Sequence, residues 1–400
     1  MNSRGLKVPS GCNRLNQIRL ESAGGAGYKT AGRDREPHVY KKRGFDNEER
    51  DVQRTDLERR RFLGTLATVG AASLLPAGIL RSQTGARRID VHQHFVSPSF
   101  HQFLTAKNTP ATPIPGFNTW RDYSPAKAVA ELDRVGIETA MVSITAPGVW
   151  FGDAMEARRL AREMNEFAAA RMVGDHKGRF GLFAVLPMPD VDGSLSEIGY
   201  ALDTLKADGF GLLTSYGNAW LGDPTFAPVL DELNRRKAVV YVHPTDAACC
   251  SGLIPRVPNQ MLEYPMDTMR TIASLIVSET ATRCPDVRFI FSHAGGPLIG
   301  VAGRLLGAEM SAANLAKTPE PNTRLHHLRR FYYDTAGATN PINMQALKTL
   351  VGMSQIVFGT DAPFFDGAPQ LQGLQSAGFS AQELARVERS NALAFLPRFA

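Results

Sequence analysis

Four side chains able to hold a metal ion stand at the C-terminal ends of strand-like runs. His92 and His94 close Arg88-Ile89-Asp90-Val91, His243 closes the run Ala238 to Val242, and Asp361 follows Ile356 to Thr360. Side chains two apart on a strand project from one face, so His92 and His94 can share an ion. Neutral imidazoles with a carboxylate suit Zn²⁺ with a position left open for catalysis, and Mn²⁺, Fe²⁺ or Co²⁺ accept the same donors. A lone His-X-His arises by chance on surface strands. Here three further motifs accompany it: Tyr241-Val242-His243-Pro244, Phe291-Ser292-His293-Ala294-Gly295-Gly296 and Phe358-Gly359-Thr360-Asp361-Ala362-Pro363. Each is an apolar run ending in a polar group with a Gly or Pro turn signal.

Donors spread over about 270 residues meet only if the fold gathers strand ends at one mouth, as a β/α barrel does. From residue 88 onward strand and helix signals alternate eight times. Strands are predicted near 88–93, 139–144, 180–186, 209–214, 238–243, 287–292, 331–335 and 356–360. Helices are predicted near 124–136, 153–173, 193–207, 224–236, 262–282, 297–315, 341–351 and 380–396. Alternation implies a parallel sheet and eight units imply closure, hence an α/β (β/α)8 TIM barrel over 88–400. Ser124-Pro125 and Asp223-Pro224 read as helix N-caps followed by proline at the first helical position. The long connections from His94 to Ser124 and from Pro244 to Leu262 leave the active face and read as lids.

These motifs resemble the amidohydrolase superfamily, in the branch with aminocarboxymuconate-semialdehyde, γ-resorcylate and 5-carboxyvanillate decarboxylases. The likeness extends to Glu131-Leu-Asp-Arg-Val-Gly-Ile137, Phe331-Tyr-Tyr-Asp-Thr-Ala336 and Asn340-Pro341. The resemblance implies His92, His94, His243 and Asp361 as metal ligands, His293 as a catalytic residue beside the metal, and a homo-oligomer. Binuclear members carry a carboxylated lysine at the end of strand four, whereas Gly209 to Tyr216 holds none, so one divalent metal is expected, zinc first. The aminocarboxymuconate enzymes place an arginine between strand one and helix one; here Arg121 is the nearest candidate.

The chemistry expected is non-oxidative decarboxylation of a small aromatic or enol-like acid, with Asp361 shuttling the proton and His293 orienting substrate or stabilising charge. Hydrolysis of an ester, lactone or amide would use the same parts, and a non-catalytic metal or ligand carrier is the third reading. Trp120, Arg121, Trp150, Tyr216 and Phe364 are pocket candidates, with Tyr264 and Phe365 also on active-face loops. Asp90 reads as a group that caps backbone or orients an imidazole, Asp334 as structural, and His101 as an extra candidate in the first lid.

The formal charge of +6 over 400 residues is uneven. Residues 1–88 hold 18 Lys/Arg against 9 Asp/Glu, leaving 27 against 30 beyond them, so no basic stripe argues for nucleic acid. Residues 1–55 are polar and aperiodic, as a disordered or mis-assigned leader would be. Within 56–87, Arg59-Arg60-Arg61 precedes the apolar Thr65 to Leu80, which resembles a twin-arginine export signal and implies the export machinery as a partner and a periplasmic destination. Stable membrane insertion is not expected. Cys249, Cys250 and Cys284 make no disulfide framework.

Overall fold

The computed structural model describes residues 87–108, 114 and 116–400. The leader and the signal segment with Arg59 and Arg60 lie outside the described residues. Eight strands form one sheet: β1 Arg88–His94, β2 Ile137–Ser143, β3 Phe180–Val185, β4 Gly209–Leu213, β5 Val239–His243, β6 Arg288–Phe291, β7 Tyr332–Asp334 and β8 Ile356–Val357. Sequence neighbours pair in parallel all the way round. The last strand then returns to the first. Val91 N–H donates to the Phe358 carbonyl (2.9 Å), Asp361 N–H to that of His92 (2.8 Å), and His94 N–H to that of Ala362 (2.9 Å). These closing bonds lie among the metal-capable residues, so the seam of the barrel and the site are one region.

Two apolar clusters follow from burying both faces of each strand. Ile89, Met141, Phe183, Tyr241, Ile290 and Val357 come from strands all around the cylinder and share one cluster, which only its interior allows. Phe395, Leu396 and Phe399 join it. The larger cluster lies between the strands and the surrounding helices: α1 Pro98–Lys107, α2 Pro125–Val135, α3 Ala154–Phe167, α4 Val191–Asp203, α5 Ala227–Arg235, α6 Glu263–Val277, α7 Leu298–Leu306 and α8 Pro341–Val351. As the sequence predicts, the Ser124 hydroxyl accepts from Lys127 N–H and the Asp223 carboxylate from Thr225 N–H, each with proline next.

Three predicted helices are shorter than expected. The 262–282 helix stops at Val277 and resumes at Thr280 because Glu279 takes a left-handed φ of 61°, and the 297–315 helix stops at Gly307 (φ 56°). The 380–396 helix divides into Ala381–Ala385, a wide turn over Arg386–Ser390, and Asn391–Leu393. The first lid is not irregular throughout, since it carries α1, capped by the Ser97 hydroxyl. A hairpin of Ser215–Tyr216 with Ala219–Trp220 is too brief to leave a period in the sequence; buried Asp267 pins it, accepting from the Ser215 hydroxyl and the Trp220 indole at 2.7 Å each.

Asp90 fastens β1 to the segment after β8. Fully buried, it accepts from His92 N–H (2.9 Å), Gln93 Nε2 (3.0 Å), Thr360 N–H (3.1 Å) and the Thr360 hydroxyl (2.6 Å). Burial pushes its carboxyl up to about 6 against the pull of these donors. Asp90→Ala would leave two backbone donors buried and unmet, so denaturant unfolding should show a loss of about 3 kcal/mol. An unchanged midpoint would remove Asp90 from the seam.

Candidate metal centre

The barrel brings His92, His94, His243 and Asp361 together. One ligand atom from each lies within 4.8 Å of the others, and all four residues are buried. Asp361 Oδ1 is 3.0 Å from His94 Nε2 and 3.3 Å from His92 Nε2, and the two Nε2 atoms are 3.0 Å apart. Two imidazole edges this close repel unless a proton or a cation lies between them.

Each imidazole is turned by what its Nδ1 meets. His94 Nδ1 lies 3.3 Å from the Ser143 carbonyl, His243 Nδ1 2.8 Å from that of Pro244, and His293 Nδ1 2.9 Å from that of Ala336. His92 Nδ1 faces a carboxylate instead, 2.9 Å from Asp334 Oδ2. A proton held on Nδ1 leaves Nε2 as a lone-pair donor, the state a metal takes.

Charge completes the fit. Burial drives His94 and His243 below the ordinary histidine range, His243 well below, and so keeps them neutral. Burial presses His92 the same way, but the carboxylates of Asp361 and Asp334 outweigh it and raise this imidazole to about 10. Burial opposes ionisation of Asp361, yet His92 and His94 hold it well below the usual carboxylate range. Two buried carboxylates thus call for positive charge, and Asp361 Oδ1, a buried oxygen, makes no hydrogen bond within the protein. Three imidazoles and a carboxylate suit a divalent cation, which would take the place of the His92 proton.

The backbone is bent to present these groups. Asp361 (φ 64°), His293 (φ 54°) and Ala294 (φ 57°) all lie in the left-handed region, at a cost on the order of 1 kcal/mol each. Asp334 Oδ1 offsets this at His293 by accepting its N–H at 2.9 Å. His293 Nε2 is then 3.7 Å from Asp361 Oδ2.

A cavity of about 320 Å³ opens over the centre, lined by His243, His293, Asp361, Thr145, Tyr264 and Phe364 among others. A larger neighbouring cavity of about 430 Å³ includes His94, but its charged groups, Asp122, Lys127, Glu131, Arg134 and Asp366, are not members of the cluster. Of the five pocket candidates, Phe364 lines the smaller cavity. The other four are not among the residues that line it. Trp120 is buried behind Phe364, with ring centroids 5.0 Å apart, and Tyr216 packs on Phe226 while its hydroxyl accepts Leu213 N–H. Arg121 is exposed and bonds Asn118, and Trp150 is on the surface. His101 stacks on Phe117. Thr145, just past β2, was legible by the same strand-end rule that found the histidines; Asp334, read as structural, also faces His92.

The model of the amidohydrolase family matches residues 89–398. The chain belongs to the amidohydrolase family. Among relatives of this amidohydrolase, a decarboxylase of Aspergillus niger, yanB, is 37% identical over 78% of this chain and 88% of its own. The 6-methylsalicylic acid decarboxylase of Penicillium expansum is 34% identical over 78% of this chain and 96% of its own. The solved 5-carboxyvanillate decarboxylase of Novosphingobium aromaticivorans, with bound manganese and 3-methoxy-4-hydroxy-5-nitrobenzoic acid, shares the fold: TM-score 0.68 at 18% identity, over 79% of this chain and 98% of that one.

Removing the carboxylate that faces His92 tests the cluster as a metal centre. Asp334→Ala should weaken metal retention about 10- to 100-fold in chelator competition. Retention equal to the wild type would leave Asp334 a purely structural role.

Proposed function

We infer that the chain is a metal-dependent non-oxidative carboxy-lyase acting on a small aromatic carboxylic acid. The observation that carries this is the convergence of His92, His94, His243 and Asp361 beside His293 at the floor of a largely apolar cavity. The names of the two fungal relatives support the reaction. A divalent metal held by the four donors would supply fixed positive charge for a substrate oxygen and for charge that develops during reaction. Zinc is our assignment for it, and manganese suits the same donors.

In this reading Asp361, ionised by its imidazole neighbours, takes the proton of a phenolic hydroxyl and delivers it to the ring carbon that bears the carboxylate. The bond from ring to carboxylate then breaks, its electron pair returns to the ring, and CO₂ leaves. A proton from solvent restores the phenol, so the net change is one proton for one CO₂. His293, fixed through Nδ1, presents Nε2 to the cavity and orients the acid.

Purified protein should release CO₂ from hydroxybenzoates, 6-methylsalicylate among them, and should leave lactones intact. His293→Asn should lower kcat/KM about 10²- to 10⁴-fold with metal content kept. Lactone opening without CO₂ would replace the lyase with a hydrolase, and full turnover by the variant would count against both enzymes.

Export to the periplasm belongs to the same proposal and is supported by Arg59-Arg60-Arg61 ahead of the apolar run. Among the described residues no helix is long and apolar enough to cross a membrane. Residues 1–88 fused to a reporter that works only after folded export should carry it out of the cytoplasm, and changing Arg59 and Arg60 to Lys should stop it. Export indifferent to that change would end the proposal.

A further inference from the structure

Tyr264 stands one residue into α6, where the second lid ends, and faces the cavity over the metal centre. It is only 9% exposed. Buried phenols ordinarily find a partner: Tyr241 donates to Asp334 and Tyr333 to the Leu328 carbonyl. The Tyr264 hydroxyl bonds to no other described residue and is open to solvent in the cavity. Burial, with the Asp246 and Asp361 carboxylates nearby, raises its pKa and keeps it protonated, so it offers a hydrogen to an incoming acceptor.

The other polar groups facing the cavity are few. His243 is one of the four clustered donors, and the Thr145 hydroxyl lies 3.2 Å from its Nε2. His293 Nε2 faces the cavity 3.7 Å from Asp361 Oδ2, and Gln260 is exposed. No lysine or arginine side chain lines this cavity among the described residues. An aromatic acid entering here brings an anionic carboxylate that needs a donor. Resting on the carboxylic-acid reading above, we propose that the Tyr264 phenol is the group that receives the substrate's carboxylate and so sets how the acid lies against His293 and Asp361.

The position is rigid enough for that task. Tyr264 N–H donates to the Asn259 carbonyl (2.9 Å), and the Thr268 hydroxyl donates to the Tyr264 carbonyl (3.2 Å). The next carbonyl, of Pro265, packs so closely on Gly296 that any side chain there would collide with it. Gly296 ends the turn that carries His293, so the phenol and the imidazole are held in fixed relation. A hydrogen bond made to the carboxylate in the bound acid and kept into the transition state acts on binding rather than on the barrier between the two.

Calorimetric titration of the holoprotein with benzoate and with phenol, wild type against Tyr264→Phe, tests this apart from turnover, with metal content and thermal unfolding checked for both. Benzoate should bind about 10-fold or more weakly to the variant, and phenol about equally to both, because only the charged acceptor loses its donor. Equal loss for the two ligands, no loss for benzoate, or a wild type that does not bind benzoate would overturn the assignment. Where the wild type turns over an acid, the variant should raise KM about 10-fold or more with kcat little changed; a fall in kcat at constant KM would overturn it as well. Absence of CO₂ release from the wild type refutes the lyase reaction alone, since the binding comparison still judges Tyr264.

Discussion

The site depends on one buried charge. Asp334, at the end of β7 and wholly inaccessible, accepts from the Tyr241 hydroxyl (3.0 Å), His293 N–H (2.9 Å) and Ala336 N–H (3.0 Å), and sits beside His92 Nδ1. Burying an ionised carboxylate costs several kcal/mol and is tolerated only where donors surround it. Apart from Ala336, just past β7 itself, these partners come from β5, from the turn after β6 and from β1. The charge that must be satisfied therefore fixes the relative placement of three strand ends, and with them a donor of the cluster and the imidazole above it.

The same logic repeats at the seam. Asp90 ties β1 to Thr360, and Asp361 N–H reaches back to the His92 carbonyl. Backbone hydrogen bonds, buried carboxylates and the convergence of imidazoles are thus not separate layers. The residues that close the cylinder are those of the metal-capable cluster or their neighbours.

Most of this was legible because the barrel converts position along a strand into position in space. A histidine or aspartate ending an apolar run must face the mouth, which is why His92, His94, His243, His293 and Asp361 could be singled out together. The cavity wall was harder. Trp120, Trp150, Arg121 and Tyr216 lie on loops that start at the mouth, but a loop can turn its side chains outward or into the packing behind the wall, and no period records which. Tyr216 is the clearest case, captured by a hairpin whose existence depends on Asp267, 51 residues away in sequence. Helix breaks at Glu279 and Gly307 were missed for a related reason: the apolar pattern runs on across a backbone reversal that only tertiary packing selects.

The order of the donors along the chain has a temporal side. His92 is on the first strand and Asp361 follows the last, and the bonds joining them form only when the cylinder shuts. A nascent chain still lacking β8 holds imidazoles without their carboxylate. The complete set of four donors is thereby reserved for a chain whose final stave is in place.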